Sequence, residues 1–226
     1  MSSLPPAPLE TFPALAAHDS IAVHGFVQRV PGVDTSLDKT EVLARLAPFH
    51  MGAVSAAGFS VDRFFTASQV HGAGIAVISA ESPRFSTDVD GLMTNVAGLL
   101  LGIHVADCGP VYLIDPVQRA IALLHSGKKG TELNITGRAV AMMGEHYGSR
   151  PRDLHLQLGP CIRVPQYDID FASQILESAR QAGIPADQVH DCGICTALHP
   201  ATYYSYRREL GKTGRLLALL GLRPQN

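Results

Sequence analysis

The middle of the chain is built from apolar runs of strand length. Residues 98–106 (GLLLGIHVA), 111–115 (VYLID) and 119–127 (RAIALLHSG) carry almost no polar alternation. That pattern predicts strands buried on both faces. Residues 20–27 (SIAVHGFV) read as another strand, closed by a turn at Pro31-Gly32. RFFTASQVHG reads as a strand ending at His71, GIAVIS as the next strand, and LHLQLGP as a short one. Asp88, Asp90 and Gly91 mark a loop. Helical spacing appears in three places. Val42, Leu43, Leu46, Phe49 and Val54 make a face over residues 39–57, with a break expected near Pro48. Ile135, Ala139, Met142 and Met143 share one face of a helix over 131–148 that stops at Gly148. Phe171, Ile175, Leu176 and Ala179 predict a third helix, ending near Gly183 and Pro185. Residues 200–222 predict a helix followed by a strand. Strands and helices without regular βαβ alternation point to an α+β fold.

Composition narrows this picture. With 226 residues, 46% hydrophobic and 17% charged, the chain can bury a sizeable core. The Pro-rich residues 1–19 are expected to be a loose arm, and residues 20–226 one domain. A net charge of −2 argues against nucleic acid as a partner. No apolar run is long enough to span a membrane. The opening residues lack the basic start of a signal peptide. Four cysteines suit a reducing cytoplasm better than a disulfide framework.

Three residues stand out by position. His71, Cys108 and His125 each sit at or just past the end of an apolar run, and each is followed by Gly or by Ser-Gly. If those ends converge, two imidazoles and a thiolate meet, a donor set that suits Zn²⁺ and leaves a fourth position open. The spacing matches no compact zinc motif, so ordinary core or loop residues are the competing reading. After His125, HSGKKG places Lys128 and Lys129 just before a helix, where phosphate or a carboxylate would be attracted. A solvated turn explains the same lysines. His190, Cys192, Cys195 and His199 form a second cluster, read as partly buried residues because no matching C-x-x-C accompanies it. His104 reads as a core histidine, and Asp107 as either a general base or a loop carboxylate. Tyr203, Tyr204, Tyr206, Arg207 and Arg208 suit either ligand stacking and anion binding or a core-facing helix.

Taken together, QVHG (69–72), ADCGP (106–110), HSGKKG (125–130), LGPCI (158–162) and YYSYRRELGKTGR (203–215) resemble the YfiH, or laccase-domain, family of multicopper polyphenol oxidoreductase-like proteins. The resemblance spans nearly the whole chain. It implies a single-domain α/β/β/α fold of four layers and a metal site at His71, Cys108 and His125. Zinc is the implied metal, with copper as the alternative. It implies action on purine nucleosides with phosphate: phosphorolysis of adenosine, inosine or methylthioadenosine, adenosine deamination, or both. Cys108, His125 and Asp107 are then the expected catalytic residues, and Lys129, Arg29 and Arg207 the expected phosphate contacts. The chain departs from the family where H-A-G-W-R-G is usual, having Lys128 and Lys129 instead of Trp-Arg, and RVPGVD (29–34) instead of R-x-G-G-V-S. Lys129 keeps the charge and loses the bidentate fork. Two rival readings keep the same residues: a metal-independent Cys–His hydrolase, and a degenerate metal-binding protein without catalysis. A copper polyphenol oxidase fits least, since coupled copper centres need more histidines than converge here.

Overall fold

The computed structural model describes residues 7–224. In chain order the elements are β1 (Leu9–Glu10), α1 (Pro13–Ala16), β2 (Ala22–Val27), α2 (Lys39–Ala56), β3 (Phe64–Ala67), β4 (Ile75–Val77), β5 (Phe85–Ser86), β6 (Gly91–Thr94), β7 (Leu100–Val105), β8 (Gly109–Asp115), β9 (Ala120–Ser126), α3 (Lys128–Glu132), α4 (Ile135–Tyr147), β10 (His155–Leu158), α5 (Phe171–Gln181), β11 (Val189–Asp191) and β12 (Leu216–Leu222). They form two six-stranded sheets, ordered β1-β2-β12-β7-β3-β5 and β11-β10-β8-β9-β6-β4.

The apolar runs are continuous because both faces of each central strand are covered. On β8, Tyr112 and Ile114 face the other sheet and meet Phe26, Leu101, Ile103 and Leu220 in the main core. The alternate residues Val111 and Leu113 face outward, under Ala139 and Met143 of α4 and Ile175 and Ala179 of α5. On the far side, Ala53 and Val54 of α2 cover Val27, Leu100, Leu217 and Leu219. The order is helix, sheet, sheet, helix, the four-layer α+β arrangement expected.

Several local expectations change. α2 runs unbroken through Pro48. Asp38 caps its start by accepting from the backbone N–H groups of Thr40 and Glu41 at 2.8 and 3.1 Å. Pro48 is exposed, while Val42, Leu46, Ala53 and Val54 bury themselves on both sides of it. That packing outweighs the lost backbone hydrogen bond. The helix expected over 131–148 begins earlier, as α3, and restarts as α4 after Asn134, which has φ 54° and accepts from the Gly137 N–H. Residues 200–214 contain turns rather than a helix, and β12 follows as expected. Gly214 packs against the buried Tyr204 ring, where any side chain would collide with it. The N-terminal arm is docked over its described part. Leu9 and Glu10 pair with Val27 and Phe26, and Phe12 and Leu15 are buried. Residues 1–6 of that arm lie outside the described residues.

The chain passes from one sheet to the other six times, and two of those crossings, β3 to β4 and β7 to β8, concern the site. Both crossings lead to the same end of the sandwich, where the candidate site is built.

Candidate metal centre

The β8–β9 hairpin sets the site's frame. Its register pairs Gly109 with Ser126 and Pro110 with His125. One residue further out, Cys108 therefore comes up against Gly127. A Cβ on Gly127 would stand 2.6 Å from Cys108 Sγ, so the close approach requires glycine. His125 is on β9 itself, and Cys108 is in the β7–β8 crossing. His71 arrives from the β3–β4 crossing. It is not at a strand end as expected: β3 stops at Ala67, and His71 lies in a loop with φ 60°. The ligand atoms of His71, Cys108 and His125 all lie within 4.8 Å of one another.

The residue that assembles this loop is Asp90, fully buried just before β6. Its carboxylate accepts from the backbone N–H groups of His71 at 2.9 Å, Gly72 at 2.7 Å and Val70 at 3.2 Å. It also bonds His125 Nδ1 at 2.8 Å, which leaves Nε2 as that ring's free donor atom. Carboxylate support behind a histidine is the usual way to fix the orientation of a metal ligand. Sequence reading placed Asp90 in a loop and assigned it no role. Gln69 completes the scaffold: its side-chain Oε1 accepts from the His104 N–H at 2.9 Å, tying the loop to β7.

The electrostatics favour a thiolate. Burial opposes ionisation of Cys108, but hydrogen bonds from His125 and His71, and their charge, hold the thiol down to about 6. Burial likewise opposes charge on His125, yet Asp90 and Cys108 push it up to about 9. Asp90 itself is lowered, with burial opposing and the His125 and backbone hydrogen bonds prevailing. Two imidazoles and a ready thiolate, spaced to share one ion and backed by a buried carboxylate, fit Zn²⁺.

The triad opens on a cavity of about 760 Å³. Of the other residues picked from the sequence, Asp107, Lys129 and Arg207 line it. Asp107 has both oxygens engaged, accepting from Thr196 Oγ1 at 2.7 Å and from the Arg207 backbone N–H at 2.7 Å. Arg207 also approaches Asp168 at 3.6 Å on the surface. Arg29 does not line the cavity. Its guanidinium bonds Glu209 at 2.7 Å and lies 4.3 Å from the Tyr204 ring centroid, so it clamps the C-terminal turns. Tyr203 and Tyr204 are buried behind those turns, while Tyr206 reaches the cavity. His104 lines the cavity too, rather than being a closed core histidine. Of the second cluster, Cys195 is buried and Cys192 half-buried, and His190, Cys192, Cys195 and His199 form no metal-binding group among the described residues.

Residues 38–174 and 164–223 match the family model described as multi-copper polyphenol oxidoreductase laccase. A purine nucleoside phosphorylase of Deinococcus radiodurans is 33% identical over 93% of both chains. Purine nucleoside phosphorylase YlmD of Geobacillus stearothermophilus is 29% identical over 74% of this chain and 75% of its own. Among solved structures, YlmD from Geobacillus stearothermophilus superposes with a TM-score of 0.81 at 24% identity, covering 97% of this chain and all of its own. The YfiH protein of Bacillus licheniformis gives a TM-score of 0.79 at 23% identity, covering 89% of this chain and 93% of its own. These structural likenesses share the fold.

Proposed function

The chain belongs to the YfiH-type laccase-domain family, and from that membership we propose that it is a zinc-dependent enzyme of purine nucleosides. The proposed reaction is phosphorolysis of adenosine, inosine or methylthioadenosine, with adenosine deamination as a second activity. The observation that carries this reading is the convergence of His71, Cys108 and His125 on the wall of a substrate-sized cavity. Relatives named purine nucleoside phosphorylase supply the substrate class. Four free cysteines suit the reducing cytoplasm we assign it.

Zinc held by His71, Cys108 and His125 supplies Lewis acidity beside the bound substrate. The chain's own residues do the rest. Asp90 keeps His125 Nε2 turned to the site and holds His71 by its backbone. Tyr167 and Tyr206 line the cavity and offer ring faces to a flat base. Phosphorolysis breaks the bond from the sugar C1′ to the base nitrogen, forms a C1′–oxygen bond to phosphate, and leaves the base nitrogen protonated. Lys129 and Arg207 contribute positive charge for phosphate. Asp107, with both oxygens occupied, is assigned to position Arg207 at the cavity wall.

The test is release of adenine or hypoxanthine by zinc-loaded protein, with and without phosphate, followed by chromatography. Base release that requires phosphate is expected. No release from fully zinc-loaded protein overturns the phosphorylase reading, and ammonia release tests the deaminase one. A second reading, a Cys108 thiolate hydrolase, draws on the depressed thiol. It requires activity in metal-free protein that is lost when Cys108 is alkylated. Zinc binding without turnover across a nucleoside panel would mark a non-catalytic member, and metal analysis separates zinc from copper.

A further inference from the structure

The cavity also carries charged residues that the metal triad does not explain. Arg215 lines it just before β12, half-buried. Its Nη1 donates to the carbonyls of Thr213 and Gly214 at 3.1 and 2.8 Å. Among the described residues no carboxylate lies within ion-pairing distance of it. Lys39, at the start of α2, lines the same cavity and likewise has no carboxylate partner among the described residues. His104 lines the same cavity, and among the described residues its ring has no hydrogen-bond partner. A half-buried guanidinium is permanently charged, and leaving its N–H donors without partners is costly. Asp107 and Cys108 act on Arg215 through their charge but accept no hydrogen bond from it, since the Asp107 oxygens accept from Thr196 and the Arg207 backbone instead.

We propose that Arg215, Lys39 and His104 form a phosphate subsite, with Arg215 as its anchor. The proposal rests on the reading of this chain as a purine nucleoside enzyme and deepens it by adding Arg215, Lys39 and His104 to the phosphate contacts Lys129 and Arg207. The group recognised is a phosphate dianion, either free phosphate or one carried on a nucleotide. Arginine presents a fork to two oxygens, and lysine adds a point charge. Burial, then the charges of His50, Lys39 and Arg215, hold the His104 imidazole down to about 3. It is therefore a neutral donor, and the cluster's cations are close enough to it to act as one group.

The experiment measures binding of inorganic phosphate, and separately of a nucleoside 5′-monophosphate, to the zinc-loaded protein by calorimetry. Arg215→Gln, Arg215→Lys and Lys39→Gln are compared with wild type, and Arg63→Gln serves as a remote charge control. Lys39 is exposed, so Lys39→Gln tests the site even if Arg215→Gln folds poorly. Weakening of phosphate binding by about tenfold or more in Arg215→Gln and Lys39→Gln is expected. Arg215→Lys should recover part of the loss, and Arg63→Gln should bind as wild type. Weakening seen only for the nucleotide supports the subsite and identifies a substrate-borne phosphate as its occupant. Unchanged binding of both ligands in Arg215→Gln and Lys39→Gln overturns the proposal, as does a wild-type protein that binds neither. The two readings fail separately. Loss of phosphate binding in a protein without phosphorolysis removes the proposed reaction and keeps the subsite. Phosphorolysis with an unchanged phosphate KM in both variants does the reverse.

Discussion

Two residues that touch no substrate set the geometry of the centre. Gly127 leaves room for the Cys108 sulfur, and Asp90 holds two of the three ligands at once. Gly127→Ala would place a methyl 2.6 Å from that sulfur, so it should lower the zinc content of purified protein while the fold persists. Asp90→Asn keeps the size and loses the charge behind His125. Zinc affinity should fall by about 10–100-fold, read by competition with a chelating dye. The thiol provides an independent check. Because Cys108 is held down to about 6, metal-free protein should show ultraviolet thiolate absorbance above that pH and lose it below. Protons then compete with metal for the sulfur, so zinc retention should drop as pH falls through the same range. Cys108→Ala should remove both the absorbance change and the bound metal. Of these residues, Cys108 and His125 were legible in the sequence because they end apolar runs. Asp90 was not, since nothing in its spacing says that a loop carboxylate is fully buried. Arg29 shows the opposite failure: its charge was legible, but the partner that consumes it, Glu209, is 180 residues away.

At the scale of elements, local signals held where they agreed with packing. The strands at 98–106, 111–115 and 119–127 were visible because both their faces are covered. The break at Pro48 was not realised, because buried side chains on both sides carry α2 across it. An exposed proline inside a helix costs about 3 kcal/mol. Pro48→Ala should therefore raise stability to urea by about 2–2.5 kcal/mol, once the freer unfolded chain offsets part of the gain. The tail misled for a different reason. Its Tyr and Arg residues have helical spacing, but Tyr203, Tyr204 and Ser205 are buried in an irregular stretch between turns, and Glu209 accepts from Arg29, Thr213 and the Ser205 backbone. Those contacts with distant segments outweigh local periodicity.

Across the whole molecule, the last strand is structurally central. β12 pairs with β2 on one side and β7 on the other, so the first sheet closes only when the end of the chain arrives. Removing residues 216–224 should leave a protein without cooperative thermal unfolding, seen by circular dichroism. Two of the passages between sheets have a further consequence. His71 and Cys108 sit on the β3–β4 and β7–β8 passages, and His125 on the second sheet, so an ion bound there would join the two halves of the sandwich at its seam like a rivet. Amide hydrogen exchange at 68–74 and 106–109 should slow together on metal loading, while the far end of the sandwich keeps its rate. Breathing of the seam and loss of the ion would then be one event, and the rate at which the protein releases its metal would also be the rate at which this end of the sandwich opens.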